Sequence, residues 1–371
     1  MRANFGEHFK LTIFGESHGP AIGVVVDGLP AGARLDEADR RNLYRQTDGA
    51  ARAGRRPDRD GAKRGGRGAH PLRRDERAGD GRAALRGDRK HEHALRRLCK
   101  HGGAHAPRPR GLRGLRQIPR HERPARRRAF FRQADGAALH RRLLLREKGI
   151  EIGAHIAAIA GERDARFDPV GVDVRTLCGL AQSRFPLLNP EKEVPMRRAV
   201  AEARAAQDSA GGVIECAAVG VRAGIGSPFF GSVESVVSQL AFSVPAVKAI
   251  EFGDGMALAE MRGGEANDAM RMDGDDVTCE SNHNGGVTGG VTNGMPVIFR
   301  AAIKPTPSIA RAQRTVDVAK CENAVLEIAG RHDPCIVPRA VVVMESILAI
   351  ALCELEMDDA AQRALTEGVC T

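Results

Sequence analysis

Two polar, glycine-rich runs carry the residues best suited to chemistry. One is Asn282-His283-Asn284-Gly285-Gly286 with Thr288-Gly289-Gly290, and the other is Gly330-Arg331-His332-Asp333-Pro334-Cys335. Between them lies Lys304-Pro305-Thr306-Pro307-Ser308. Glycine pairs let backbone N–H groups approach a bound group closely, and they are expensive to order unless something fills the space they leave. A lysine, an arginine and several hydroxyls nearby in sequence point to an anionic ligand, with a phosphate as the simplest case. The competing reading is a set of tight hairpin turns in a β-rich region.

These runs need elements to hold them, and the flanking sequence supplies them. Phe9 to Phe14 reads as a strand, followed by the turn Gly15-Glu16-Ser17-His18-Gly19 and a second apolar run, Ile22 to Val26. His18 is thus offered at a tight reversal between strands, as a site residue or as a solvated loop histidine. Ile150 to Ile159 and Val213 to Val221 read as strands. Glu193 to Gln207 is an amphipathic helix ending in the loop Asp208-Ser209-Ala210-Gly211-Gly212. Ser232 to Ala241 has helical spacing of Val233, Val236, Val237 and Leu240, and leads to a strand over Ala249 to Phe252. Pro296 to Ile303 is a strand delivering Lys304 to its loop, and Pro338 to Leu355 is a long apolar helix. No fixed-period repeat and no G-x-G-x-x-G between a strand and a helix is present. Strands outnumber β-α-β units, which predicts an α+β fold with antiparallel sheets.

Composition bounds the function classes. The chain has 371 residues, no tryptophan and one tyrosine, which disfavours stacking on nucleobases. Its eight cysteines form no C-x-x-C pair and read as reduced thiols of a cytoplasmic protein, without a metal site. Met1 to Lys10 lacks the apolar core of a signal peptide, and the longest apolar stretch, Ala340 to Cys353, contains Glu345 and Ser346, so no membrane span is expected. The net charge of +10 is unevenly placed: residues 46–146 hold about 30 of the 57 basic and about 10 of the 47 acidic residues. The rest of the chain is therefore acidic, near −10.

That basic stretch has no valine from Gln46 to Gly149 and a single isoleucine, Ile118. With Thr47 and Ile118 its only β-branched residues, it is not expected to supply ordinary strands, and its Arg-Gly-Ala-Pro texture shows neither helical nor strand period. Three readings compete: a basic arm for nucleic acid, a low-complexity linker, or translation in a shifted reading frame. The third can be tested on the sequence. Reading the degenerate codons of Ala106 to Arg113 from their second base can spell Arg-Pro-Gly-His-Ala-Asp-Tyr. In the same offset Arg126 to Ala138 can spell Gly-Gly-Gly-His-Phe-Ser-Gly-Arg-Leu-Thr-Ala-Pro-Leu. Two long phrases in one offset favour the frame shift, with the break near Arg40 to Gln46 and ordinary texture resuming at Glu147.

With those residues in view, the chain resembles the chorismate synthase family. The matching phrases are Phe14 to Gly19, Ser243 to Gly255, Glu265 to Asp268, Ser281 to Gly294, Lys304 to Ile309 and Gly330 to Cys335. They cover roughly residues 1–40 and 147–350, and the gap between them coincides with the basic stretch. The resemblance implies one domain over residues 1–371, with helices sandwiched between antiparallel β-sheets and an interior of about 41–145 that does not fold normally as written. It implies elimination of phosphate and a ring hydrogen from 5-enolpyruvylshikimate 3-phosphate to give chorismate. Reduced FMN is required without net redox change, with NADPH as a source of electrons for the flavin in some members. A homotetramer is the implied assembly.

Carried over by motif, the resemblance implies that His18 is a proton donor or charge stabiliser near the flavin and the leaving phosphate. Asp333 would assist hydrogen removal. Lys304, Pro305, Thr306, Pro307 and Ser308 would wrap the flavin phosphate and ribityl chain, with Arg331 a further cationic contact. Gly289 and Ala246 would permit close backbone approach. A buried ion pair at the start of the last long helix is the alternative for Asp333 and Arg331, while Asn282, His283 and Asn284 either shape the same pocket or cap turns. The family's second catalytic histidine belongs to the Arg-Pro-Gly-His-Ala-Asp-Tyr phrase, which the chain lacks; His101 and His105 do not stand in it. That departure leaves open an inactive chain of an active family. The rival functions are a non-catalytic flavin- or phosphate-binding protein and a nucleic-acid binder using the arginine-rich stretch.

Overall fold

The computed structural model describes residues 3–15, 22–29, 83–85, 145–318, 320–328, 330 and 332–367. At the N-terminus, β1 (Asn4–Phe5), β2 (Lys10–Gly15), β3 (Ile22–Asp27) and β4 (Ala83–Leu85) form an antiparallel sheet in that order. The strands β2 and β3 pair from Lys10↔Asp27 to Gly15↔Ile22. The strand β4 corrects the expectation that the valine-free stretch supplies no strand: Ala83 to Leu85 pair with Val26 to Val24. Backbone pairing at a sheet edge requires only N–H and C=O groups, so three residues without β-branching suffice.

The larger sheet contains β5 (Glu151–Ile159), β6 (Glu162–Arg163), β7 (Gly212–Val219), β8 (Val247–Phe252) and, after two short hairpins, β13 (Val297–Ile303), in the order β6-β5-β7-β13-β8. The intervening hairpins, which follow the short helix α4 (Gly263–Ala266), are β9 (Met270–Asp273) with β10 (Asp276–Cys279) and β11 (Val287–Thr288) with β12 (Val291–Thr292); β14 (Gln313–Asp317) pairs with β15 (Glu322–Leu326) later in the chain. Every pairing between these strands is antiparallel, in agreement with the α+β expectation.

Both faces of the large sheet are covered. Ile152, Ala154 and Ile156 of β5, Ile214 and Cys216 of β7, and Phe299 and Ala301 of β13 belong to the main core. That face packs against α5 (Val337–Glu367), with α3 (Val233–Ser243) beside it. The opposite face carries a smaller cluster of Ala217 and Ile298 with Phe167, Leu177 and Leu180. Leu177 and Leu180 come from α1 (Val174–Gln182), which approaches so closely at Gly153 that a Cβ there would lie 3.0 Å from Leu177. Strand periodicity therefore decides which neighbour each side chain meets.

The long helix α5 is buried nearly all round from Val337 to Leu355, as its continuous apolar sequence requires. It continues twelve residues beyond the expected end at Leu355. Ala, Glu, Gln and Arg there favour helix at the surface, so loss of the apolar pattern does not end it. Its buried glutamates serve as anchors. Glu345 accepts the Ala154 N–H at 3.0 Å. Glu354 accepts the N–H groups of Glu7, His8 and Phe9 at 2.6, 3.1 and 2.7 Å, tying the N-terminal sheet to the helix. Glu356 takes Lys148 at 2.5 Å.

A charged ladder crosses the α1 face of the sheet, one residue per strand. His155 stands opposite Glu215, Glu215 opposite Arg300, and Arg300 opposite Glu251. His155 Nε2 lies 2.9 Å from Glu215 and its Nδ1 3.2 Å from Asp164. Arg300 donates to Glu215 at 3.2 Å, Glu251 at 2.7 Å and the Gly253 carbonyl at 2.5 Å. Burial disfavours charge on His155, but its two carboxylate partners outweigh it and raise the pKa above the ordinary 6.5. Burial likewise opposes ionisation of Glu215 and Asp164, yet hydrogen bonds from His155 and backbone N–H groups hold both below their usual range.

Removing Arg300 takes the arginine partner from buried Glu215 and the ion-pair partner from half-buried Glu251. Arg300→Met is expected to cost about 3–5 kcal/mol in urea unfolding. Because the folded pKa of His155 is raised, its stabilisation is complete below the ordinary 6.5 and is lost as pH rises through the folded value. A urea series from neutral to alkaline pH should show that decline in the native protein, and His155→Gln should lose this component.

Candidate functional site

The site begins with strand register. The last residue of β13, Ile303, pairs with the first residue of β7, Gly212. Because the pair is antiparallel, the segment entering β7 and the segment leaving β13 emerge side by side. These are the loop 208–211, which follows α2 (Glu193–Ala205), and the loop Lys304 to Ser308. Ser209 Oγ donates to the Thr306 carbonyl at 2.7 Å, Arg311 N–H donates to the Gln207 carbonyl at 3.3 Å, and Arg311 faces Asp208 at 3.6 Å. Gly211 passes directly beneath the second loop. A Cβ on it would stand 2.5 Å from the Ile303 carbonyl oxygen and 2.8 Å from Pro305 Cδ, which no side chain tolerates.

The Lys304 loop is held from its other side by Ala246. Lys304 N–H donates to the Ala246 carbonyl at 2.9 Å, next to the irregular step where β13 meets Val247 of β8. Ala246 sits at φ 87°, a left-handed conformation that costs a non-glycine residue about 1–2 kcal/mol. Lys304, Thr306 and Pro307 are half-buried, while Pro305 and Ser308 are exposed. Gln313 donates to the Pro307 carbonyl at 3.4 Å. Thr306 Oγ1 is buried and has no hydrogen-bond partner. Among the described residues only Glu234 Oε2 shares that condition, and it lies in the first turn of α3, where a helix N-terminus favours negative charge. The Thr306 hydroxyl has no such compensation, and a buried hydroxyl left unpaired costs about 1–3 kcal/mol.

The same Asp208–Gly212 loop reaches a third segment. Ala210 N–H donates to the Pro334 carbonyl at 2.7 Å, and Ala210 forms an isolated parallel bridge with Cys335. Asp333, exposed just before it, pairs with Arg339 in the first turn of α5 at 2.5 Å. This matches the ion-pair alternative in kind, with Arg339 as partner and an exposed rather than buried setting. His332 is half-buried with Nε2 2.9 Å from the Ile328 carbonyl. Burial pushes the Cys335 thiol up to about 11, so it stands protonated beside the site. The described cysteines are free thiols, and no group of three or more metal-ligating side chains occurs among the described residues.

Ala246 is thus bonded to the Lys304 loop, and the 208–212 loop is bonded both to that loop and to the Pro334 turn that follows Asp333. Gly289 stands apart. It forms with Gly290 the two-residue turn between β11 and β12, at φ 63° and 90°, the left-handed pair such hairpins need. The Gly290 carbonyl accepts the Val233 N–H at the start of α3. Ala246 follows the other end of that helix, about 16 Å away at 1.5 Å per residue. Asn282 brackets a turn: it donates to the Pro169 and Pro296 carbonyls at 2.8 and 2.9 Å and accepts the Gly286 N–H at 2.6 Å. Asn284, Ser281 and the His283 N–H converge on Asp268, while the His283 ring meets Asp254 at 2.6 Å. This run matches the turn-capping alternative. His18 and Arg331 lie outside the described residues.

The Asp208–Gly212 loop is the part that sequence reasoning passed over as a helix terminus. Its available signal was the pairing of a hydroxyl and two glycines immediately before a buried strand. Two measurements check this geometry. Ala246→Gly relieves the left-handed strain and is expected to raise unfolding stability by about 0.5–1 kcal/mol, offset in part by a freer unfolded chain. Cys335, with its thiol pushed up to about 11, is expected to react with iodoacetamide at pH 8 far more slowly than exposed Cys321.

Comparison with known proteins agrees with this frame. The family model described as chorismate synthase matches residues 9–63 and 104–357. The chorismate synthase of Korarchaeum cryptofilum is 36% identical over 358 residues, covering 94% of this chain and 96% of that protein. The chorismate synthase of Methanocella arvoryzae is 36% identical over 356 residues, covering 94% and 92%. A crystal structure of chorismate synthase superposes with a TM-score of 0.69 at 22% identity, covering 96% of this chain and 93% of that one, a likeness of fold. A family match over most of the chain, and relatives aligned along nearly their whole length, lead to one conclusion: the chain belongs to the chorismate synthase family.

Proposed function

We propose that this chain eliminates phosphate from 5-enolpyruvylshikimate 3-phosphate to give chorismate, with reduced FMN bound at the Lys304 loop. The observation carrying the proposal is that the Lys304 loop and the turn after Asp333 are both hydrogen-bonded to the 208–212 loop, and that Thr306 Oγ1 beside it is buried without a partner. The residues fit a phosphate-bearing flavin. The Lys304 ammonium supplies charge, Thr306 and Ser308 supply hydroxyls, and Pro305 and Pro307 restrict the backbone between them. When bound, reduced FMN supplies transient electron donation that helps the phosphate leave and is returned within the turnover.

In this reading the chain's own groups do three things. Lys304 with the neighbouring hydroxyls holds the flavin phosphate and fixes the ring relative to the substrate. Asp333, once released from its pair with Arg339, accepts the ring hydrogen as a proton; the C–H electron pair forms the new C=C bond, and phosphate leaves with the electron pair of the broken C–O bond. His18 donates to, or stabilises, the departing phosphate. The proposed assembly is a homotetramer.

The frame of residues 46–146 decides how far this chain performs the reaction. We expect the chain as written to bind FMN through the Lys304 loop and to turn over poorly, because the Arg-Pro-Gly-His-Ala-Asp-Tyr phrase is absent. Resequencing codons 35 to 150 is expected to restore that phrase in frame. An anaerobic assay with dithionite-reduced FMN, following chorismate chromatographically, should then show activity in the restored chain. In it, Lys304→Ala should weaken FMN binding at least about tenfold, the loss of one charge-assisted contact, and Asp333→Asn should lower kcat with FMN affinity retained. FMN binding without any elimination in the restored chain would instead identify a non-catalytic flavoprotein.

A further inference from the structure

The geometry points to Ser209 as a positioning residue that aims the Thr306 hydroxyl at the bound cofactor by holding the Thr306 carbonyl. This inference rests on the flavin reading above and deepens it. Ser209 Oγ donates to the Thr306 carbonyl at 2.7 Å, across 97 residues of sequence. The hydroxyl is not engaged in capping, since Asp208 Oδ1 accepts the Ser209 N–H at 2.8 Å by itself.

Thr306 is unusually sensitive to such a restraint. Pro305 and Pro307 flank it, so its neighbours have fixed φ and no N–H to bond elsewhere. Its own side chain is β-branched and stiff at χ1. Once the Thr306 carbonyl is fixed, the direction of its Cα–Cβ bond follows, and with it the few places the hydroxyl can occupy. That hydroxyl is buried and unpaired. A serine that orients a neighbour toward water would leave its hydroxyl hydrated; this one orients it into a dry position without an acceptor or donor. A ligand oxygen from the flavin's phosphate or ribityl end supplies the missing partner.

Ser209 also stands on a strut between two parts of the site. The next residue, Ala210, donates to the Pro334 carbonyl at 2.7 Å, and Gly211 underlies Pro305. The distance from the Lys304 loop to the Asp333 turn is therefore set through this one loop.

The test uses the full chain and its four variants Ser209→Ala, Ser209→Thr, Thr306→Val and the Ser209→Ala/Thr306→Val double. FMN affinity is read from quenching of flavin fluorescence, and thermal unfolding is followed without FMN. Loss of one neutral hydrogen bond predicts an FMN Kd weakened about 3- to 10-fold in Ser209→Ala. Ser209→Thr, which keeps the hydroxyl, should return to within about twofold of the native value. Thr306→Val should weaken FMN to a similar degree while leaving the FMN-free protein at least as stable, because it removes an unpaired polar group. The double variant should be no weaker than the worse single one, since both act through one hydroxyl. If Ser209→Ala does not fold, Ser209→Cys, with its weaker donor, replaces it with the same expectation. Native affinity in Ser209→Ala, absence of rescue by threonine, or additive losses in the double variant overturns the inference and leaves the flavin site standing. A native chain that does not bind FMN removes the flavin reading, and this inference with it.

Discussion

The pairing of Ile303 with Gly212 is the contact on which the site depends. Every other relation between the Lys304 loop and the 208–212 loop follows from these two strands ending level with each other. The register is pinned by charge as well as by backbone hydrogen bonds. Arg300 faces Glu215 on the α1 side, and a slip of one residue would turn Arg300 toward the apolar face packed on α5. An unpaired guanidinium in that core is far costlier than the slip could repay. The ladder from His155 to Glu251 thus acts at a distance, by fixing where Ser209 meets Thr306.

The long helix supplies the second constraint. The turn holding Asp333 enters α5, whose buried glutamates bind main-chain N–H groups of β5 and of the N-terminal segment. Its axial position is therefore fixed against both sheets. The Ala210 to Pro334 hydrogen bond then joins the helix entry to the β7–β13 pair. Besides their packed face, sheet and helix are thus joined through this one five-residue loop.

The glycine-rich runs divide in function. Gly211 allows two loops to approach within distances a side chain forbids, and so builds the candidate site. Gly289 and Gly290 supply the left-handed pair of a hairpin turn at the far end of α3. Asn282 and Asp268 spend their polar groups on neighbouring backbone. Similar sequence textures therefore bring two loops close in one place and close a hairpin in another, because glycine permits close approach and positive φ alike.

Local sequence pattern is enough to give most of the elements and, through its motif phrases, the family. Strand alternation in β5, β7 and β13, the apolar run of α5 and the helical spacing from Val233 to Leu240 are local patterns that follow from side-chain periodicity. The Lys304 and Gly330–Cys335 phrases stand out by residue type alone, since Lys304 and Arg331 are cations suited to an anionic ligand. The near end of α5 was read within one residue, whereas its far end was missed because a surface helix continues on propensity after burial stops. Only the tertiary structure decided that Ser209 braces Thr306, that Thr306 Oγ1 is left without a partner, and that Gly289 stands at the opposite end of α3 from Ala246. Those facts depend on register and on helix docking between segments about a hundred residues apart in the chain. Periodicity says which face a side chain occupies; which distant side chain it meets there is set by pairing and packing across the whole core.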